Sequence, residues 1–238
     1  VKNVDVLYQL KLGLKGKAAP LVNGKKLNLT NEWYFFTEAL NKETCNRIIK
    51  LGDKGFEKAT IEKSNGGATA QERIEGKKPE EELNKNIRTS DIAWVADQWV
   101  YDLIWPYMVT ANEQAGWKYD IKAAETIQIT RYKKGGFYGF HKDGRSDNLS
   151  AYNRPDHSFL HGNVRKLSMS ILLNDDYEGG DFEFTTLNPE GKSVMKASDL
   201  YKAGSIIVFP SFMMHGVKPI TRGVRDSLVA WFIGPPFK

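Results

Sequence analysis

Beyond residue 117 the chain changes texture, from apolar positions at helical spacing to short β-branched or alternating runs separated by turn residues. The runs at 125–132, 137–143, 166–173, 181–186, 205–209, 215–220 and 227–233 each have the length and composition of a strand. Gly135-Gly136, Asn174-Asp175, Gly179-Gly180, Pro189-Glu190-Gly191 and Arg222-Gly223 supply the turns between them, Gly179-Gly180 being read as a tight turn only. No helix-length segment interrupts the series, and so many short strands in succession predict an antiparallel sandwich of the jelly-roll type.

The first half reads differently. Residues 33–36 form a compact aromatic strand, and Asn41 is placed to cap a helix whose apolar face is Cys45, Ile48, Ile49 and Leu51, ending at Gly52 or Gly55. Residues 62–89 are polar and of mixed charge, without helical or strand periodicity, and are expected as a mobile loop. From Asp91 the spacing Ile92, Val95, Trp99, Leu103 predicts a helix, with Pro106 expected to kink it or restart it before a second segment at 107–115. Residues 1–31 are Gly/Lys/Asn-rich, with alternating Val4, Val6, Tyr8 and Leu10, and read as an appendage carrying one peripheral strand. The organisation predicted is an appendage (1–31) and one domain (32–238), the latter with helical support over about 32–120 and a jelly-roll core over about 121–238. The fold class is α+β, mainly β.

Composition narrows the function classes. The 238 residues are 41% hydrophobic and 26% charged, which excludes a collagen-like, coiled-coil or wholly disordered chain. Cys45 is the single cysteine, so neither an intrachain disulfide nor a thiolate zinc cluster can form. No run approaches the ~18 apolar residues of a membrane span, and the opening residues lack the apolar centre of a signal peptide. Membrane insertion and export are therefore not expected, and the cytoplasm is the simplest compartment. A net charge of +5 and a pI near 9.0 arise from lysines spread along the chain, which is weaker than the concentrated basic stripe of a nucleic-acid binder.

The chemistry concentrates in a few residues. The chain has four histidines, at 141, 157, 161 and 215. His141 and Asp143 stand two apart in an alternating run, which predicts that both point to one face of a sheet. A jelly roll can bring His215 opposite them, and two imidazoles with one carboxylate make the facial triad of non-haem Fe(II) sites, with positions left open for a co-substrate and O2. Arg225, ten residues past His215, is followed at period two by Ser227, Val229 and Trp231, so these four are expected on one face. There the Arg225 guanidinium suits the far carboxylate of a dicarboxylic acid such as 2-oxoglutarate, with Ser227 adding a hydrogen bond. His157 and His161 have i, i+4 spacing but lie in the polar stretch 144–163, which reads as a substrate lid.

Three ordered motifs, YKKGGFYGFHKD (132–143), NDDYEGGDF (174–182) and AGSIIVFPSFMMHGVKPITRGVRDS (203–227), resemble the 2-oxoglutarate and Fe(II)-dependent dioxygenases of the prolyl 4-hydroxylase-like branch. The resemblance covers residues 124–235, and 33–55 look like the same family's lead-in; 1–31 and 62–89 are not covered. It implies a double-stranded β-helix, His141, Asp143 and His215 as iron ligands, Arg225 and Tyr132 as contacts to 2-oxoglutarate, and Tyr138, Arg165 and Trp231 on the substrate side. It also implies O2 and a proline-containing peptide or protein as reaction partners, with ascorbate as an accessory. Leu172 departs from the oxygen-sensing members, which carry Tyr at that position. Two other classes remain open: a same-fold oxygenase acting on a small molecule or a nucleic acid, and a non-catalytic jelly-roll binding module. Against a nucleic-acid demethylase, the segment after His215 lacks the second, farther arginine by which such enzymes resemble one another.

Overall fold

The computed structural model describes residues 32–59, 86–144, 150–188, 191–197 and 200–237, together with four two-residue strands in the remaining segments. The expected peripheral strand at residues 4–10 lies outside the described residues. The elements in order are β1 (Leu21–Val22), β2 (Lys25–Lys26), β3 (Tyr34–Phe36), α1 (Lys42–Gly52), β4 (Glu57–Lys58), β5 (Ile61–Glu62), β6 (Glu81–Glu82), β7 (Arg88–Thr89), β8 (Asp91–Val95) and α2 (Gln98–Gln114). There follow β9 (Ala123–Ala124), β10 (Ile127–Tyr132), β11 (Phe137–His141), β12 (Val164–Leu172), β13 (Glu178–Gly179) and β14 (Phe182–Asn188). The last are β15 (Gly191–Lys196), β16 (Ile206–Pro210), β17 (His215–Val217), β18 (Ile220–Arg222) and β19 (Arg225–Gly234).

Two antiparallel sheets carry the architecture. The major sheet has eight strands in the order β3-β16-β12-β19-β10-β8-β4, with β9 also paired to β19; the minor sheet has five, β15-β14-β17-β11-β7. This is the jelly roll expected from the strand series. The major sheet is buried on both faces, which is why its strands read as almost continuous apolar runs. One face carries Ile127, Ile129, Leu167, Met169, Ile171, Leu228, Ala230 and Phe232 against Cys45 and Ile48 of α1 and Val100, Ile104 and Met108 of α2. The other face carries Tyr132, Leu172, Ile207 and Phe209 against Phe182, Phe184 and Val217 of the minor sheet. The strand period of two thus sorts each strand's residues between a helix-facing core and the space between the sheets.

Several expectations require correction. Asp91–Val95 is a strand, hydrogen-bonded between β10 and β4, and not the start of a helix. Because Ile92, Ala93 and Val95 are all buried, a two-sided strand produced spacing that mimicked a helix. Helix α2 begins only after Asp97 and runs unbroken through Pro106. Pro106 and Asp102, whose carbonyl loses its helical partner there, both face solvent, so water can serve the carbonyl. Residues 62–89 are not wholly loop, since β7 closes the edge of the minor sheet. The 32–120 region supplies β3, β4, β7 and β8 to the two sheets and is more than a helical support. The run at 215–220 splits into β17 and β18, and β15 was not anticipated. No described helix is long and apolar enough to cross a membrane.

The lead-in is fastened to the sheet at Leu40, whose N–H donates to the Gly204 carbonyl at 3.1 Å. Gly204 has φ +83°, and a Cβ there would meet the Leu40 carbonyl oxygen at 1.9 Å. Asn41 caps α1 through a 2.8 Å bond from the Thr44 N–H. We therefore predict that Gly204→Ala lowers stability by about 3 kcal/mol, from backbone strain plus the clash. Asn41→Ala costs about 1 kcal/mol. Denaturant midpoints measure both, and equal effects would contradict this account of the junction.

Candidate metal and co-substrate site

Between the sheets, strand β11 meets β17 with Tyr138 opposite Val217 and His141 opposite His215. Three steps on β11 therefore answer two on β17, which is a β-bulge of one extra residue. The bulge changes what alternation would dictate. Tyr138 and His141, an odd number of positions apart, both turn inward, their rings stacked at 3.5 Å and 13°, while Phe140 is turned out to solvent. Asp143 lies beyond the end of β11, so strand alternation does not carry it to the site as expected. Its N–H donates to the Ser211 carbonyl at 2.9 Å, which holds the loop at the end of β16.

The outcome is one cluster, among the described residues, capable of holding a metal ion: His141, Asp143 and His215, with ligand atoms all within 4.8 Å of one another. The chemistry of the donors fits a cation. His141 Nδ1 is 2.9 Å from the Gly139 carbonyl and His215 Nδ1 is 2.9 Å from the Met213 carbonyl. A carbonyl only accepts, so each Nδ1 carries the proton and each Nε2 presents a lone pair. These nitrogens face the Asp143 carboxylate at 3.4 and 3.5 Å, so three acceptors converge with no donor between them. Burial works to raise the Asp143 carboxyl, but the neighbouring imidazoles in their protonated form, together with the Arg165 guanidinium, outweigh it and hold the group below the usual carboxylate range. For His215 burial dominates and lowers its pKa to about 4, leaving a neutral ring at physiological pH. Phe182, Phe184 and Phe209 pack around that ring and keep water from it.

The neighbouring floor is built by register. On β19 the inward residues Arg225, Ser227 and Val229 stand opposite Tyr132, Thr130 and Gln128 of β10. Leu172, Ser170 and Ser168 of β12 stand opposite Ser227, Val229 and Trp231. The face predicted for Arg225, Ser227 and Trp231 is therefore the inner one. Arg225 is 1% exposed; its Nη1 donates to Ser227 Oγ at 3.1 Å, while Nε and Nη2 have no partner. Two unpaired donors on a buried cation define an anion site. Gly180 does more than turn the chain: a Cβ at this φ +67° position would stand 2.3 Å from Ile220 Cδ1 and 3.0 Å from Arg225 Cδ. Tyr132 is buried and its phenol pushed up by burial, with Arg88 and Arg225 pulling the other way.

Arg165 is largely buried and ion-paired. Nε and Nη2 donate to the two oxygens of Glu125, both at 2.7 Å, and the guanidinium lies 4.1 Å from the centre of the Trp231 ring. The Trp231 indole N–H is buried and unpartnered. Glu125 also accepts from the Tyr152 hydroxyl at 2.7 Å. That bond bears on the expected lid. Residues 145–149 lie outside the described residues, but 150–163 fold back on themselves, with Tyr152 N–H bonded to the Asn163 carbonyl and Tyr152 and Leu160 buried against Ile233. His157 and His161 belong to this excursion and not to the metal cluster. Sequence reasoning missed Arg88, Glu125, Gln128 and Tyr152 as site residues. Arg88 sits in a two-residue strand too short to show a period, and Tyr152 in a stretch whose composition reads as loop.

Residues 127–233 match the family described as the 2OG-Fe(II) oxygenase superfamily. The match spans a little under half of the chain. A PKHD-type hydroxylase of Synechococcus sp. (strain CC9902) is 34% identical over 113 residues, 47% of this chain and 42% of the relative. The chain thus spans well under half the length of the curated relatives it matches. Among solved structures, the viral collagen prolyl hydroxylase of Paramecium Bursaria Chlorella virus-1, in its 2OG complex, superposes with a TM-score of 0.56 at 18% identity, over 86% of this chain and 97% of that one. A prolyl hydroxylase from Trichoplax adhaerens, in complex with a hypoxia inducible factor oxygen degradation domain peptide fragment, gives 0.59 at 17% identity, over 85% and 84%. At these identities the likeness is one of fold, and it agrees with an oxygenase jelly roll. The donor set suits Fe(II), and the orphaned Arg225 donors suit a carboxylate of 2-oxoglutarate.

The prediction from this geometry is one divalent metal bound per chain, lost in Asp143→Ala and in His215→Ala while the fold is kept. Metal content after loading with Fe(II) under nitrogen, together with circular dichroism, measures it. Full occupancy in either variant would contradict the three-ligand site.

Proposed function

We propose that the chain is a 2-oxoglutarate- and Fe(II)-dependent dioxygenase that hydroxylates prolyl residues in a peptide or protein. The observation that carries the reading is the joint placement, on the facing inner surfaces of two sheets, of three convergent metal-type acceptors and a buried arginine with two unpaired donors. A binding module has no need of both. His141, Asp143 and His215 would hold the metal. Arg225 would take the far carboxylate, with Tyr132 and the hydroxyl proton of Ser227, whose oxygen already accepts from Arg225, adding hydrogen bonds. Once bound, Fe(II) and 2-oxoglutarate supply the oxidising chemistry with O2, yielding succinate, CO2 and one oxygen atom inserted into substrate. The protein's part is to orient these groups and exclude water, which the Phe182, Phe184 and Phe209 packing serves.

Support for a prolyl substrate comes from the fold neighbours named prolyl hydroxylases and from the apolar ring surfaces at the site. Tyr138, stacked on His141, and Trp231, under Arg165, put aromatic rings beside the site that could flank a pyrrolidine ring. The third nitrogen of Arg165, not used on Glu125, is available to a main-chain carbonyl. Ascorbate as an accessory reductant and a cytoplasmic location belong to the same proposal.

The test is turnover with Fe(II), 2-oxoglutarate, ascorbate and a panel of proline-containing peptides. The expected outcome is succinate formation with a gain of one oxygen localised to proline. Oxidation of free amino acids or nucleobases with no peptide oxidised would overturn the prolyl reading, and absence of succinate under every condition would overturn the dioxygenase reading. Removing Arg225 takes away a charge-assisted contact of ~2 to 5 kcal/mol, so Arg225→Ala should raise the constant for 2-oxoglutarate at least about thirtyfold. A wild-type constant in that variant would reassign the residue.

A further inference from the structure

One buried cation at the site is used neither for the metal nor for the far carboxylate. Arg88, 7% exposed, stands on β7 at the edge of the minor sheet, yet its side chain crosses to the major sheet. Nε donates to Ser90 Oγ at 2.9 Å, Nη2 donates to Gln128 Oε1 at 2.8 Å, and the guanidinium carbon lies 4.5 Å from the centre of the Tyr138 ring. Gln128 is itself fixed by the Thr130 hydroxyl at 3.1 Å, and both belong to the inward face of β10 that ends at Tyr132. No carboxylate among the described residues pairs with Arg88.

Around the site the buried charges can be matched one by one. Arg165 is neutralised by Glu125, and Asp143 serves the metal. Two guanidiniums remain without an acid, Arg225 and Arg88. They border the same phenol: Arg225 stands directly opposite Tyr132 in the sheet, 5.7 Å from its ring, and Arg88 acts on the Tyr132 hydroxyl together with Arg225. Burying a second unpaired cation is costly unless an anion shares it. A carboxylate at the far end of the co-substrate meets that requirement, where a 2-oxo acid lacking it does not.

Resting on the 2-oxoglutarate reading above, we infer that Arg88 is a positioning residue of the co-substrate pocket. It braces the Gln128–Tyr132 edge of the pocket floor from the opposite sheet and supplies a second positive charge that selects a dicarboxylate. It does not touch the metal, and it acts on the co-substrate through Tyr132 and through the field it adds beside Arg225. The same guanidinium lies over Tyr138, which stacks on His141, so the edge strand β7 is mechanically tied to both halves of the site.

Calorimetric titration of 2-oxoglutarate into Mn(II)-loaded protein under nitrogen reads this without turnover. Arg88→Gln is expected to weaken 2-oxoglutarate about tenfold, with Mn(II) affinity unchanged within about twofold. Arg88→Lys, which keeps the charge but not the paired hydrogen bonds, should recover most of the loss and stay a few-fold weaker than wild type. Combining Arg88→Gln with Tyr132→Phe should cost less than the sum of the two, because both act at one hydroxyl. 2-Oxobutyrate, which lacks the far carboxylate, should bind the wild type and Arg88→Gln equally. Wild-type affinity for 2-oxoglutarate in Arg88→Gln, equal losses for the two oxo acids, or parallel loss of Mn(II) would each overturn the inference. If Arg88→Gln does not fold, Arg88→Lys decides alone, and unchanged affinity in it overturns the inference. Weakening in Arg225→Ala with none in the Arg88 variants would remove this inference and leave the co-substrate reading intact; no weakening in Arg225→Ala would remove the reading itself.

Discussion

A guanidinium sealed inside a protein with two of its nitrogens unpaired carries a cost of about 3–5 kcal/mol, a large share of the stability of an ordinary domain. Arg225 is held in that state by its strand. β19 is the longest strand of the structure, paired along its length with β12 on one side and with β10 and β9 on the other. Its alternate residues Leu228, Ala230 and Phe232 are locked into the helix-facing core, and with that register fixed Arg225, Ser227 and Trp231 have no choice but the inner face. The stability of the helix-backed sheet is thus what maintains an unsatisfied cation between the sheets.

The minor sheet meets this fixed floor with an adjustable wall. Without the extra residue in β11, Tyr138 and His141 would face opposite ways, and the imidazole and phenol could not stack. Each histidine is then oriented by a carbonyl two residues before it in its own chain, Gly139 for His141 and Met213 for His215, so ligand orientation is set locally and not by distant packing. Arg88 reaches across the gap and ties wall to floor, while the Glu125–Arg165 pair lies along the floor itself. Asp143 sits just past the end of β11, held there by a backbone bond to Ser211 and buried beside both imidazoles.

How much of this was legible in the sequence follows from the length scale of each signal. The strands of the core and the period-two face of Arg225, Ser227 and Trp231 were readable because burial imposes a pattern over many residues. The clustering of His141, Asp143 and His215 was readable because so few histidines are present and two of the three residues are close in sequence. What failed was short or two-sided. Asp91–Val95 is buried on both faces and so lost its alternation, and β7 is too brief to show any. Arg165 was expected on the substrate side, but its ion pair was not foreseen, because its partner Glu125 lies forty residues away, a separation only the fold closes. The bulge that makes Tyr138 and His141 neighbours has no signature that alternation alone can reveal.

The claim on which everything else rests is that one ion and one dicarboxylate occupy the space between the sheets together. A crystal structure of the protein with Mn(II) and 2-oxoglutarate, grown without oxygen, measures it directly. The account predicts Mn(II) bonded to His141 Nε2, Asp143 and His215 Nε2, and the far carboxylate of 2-oxoglutarate paired with the Nε and Nη2 of Arg225. Metal bound elsewhere, or a dicarboxylate that leaves Arg225 unpaired, would contradict it.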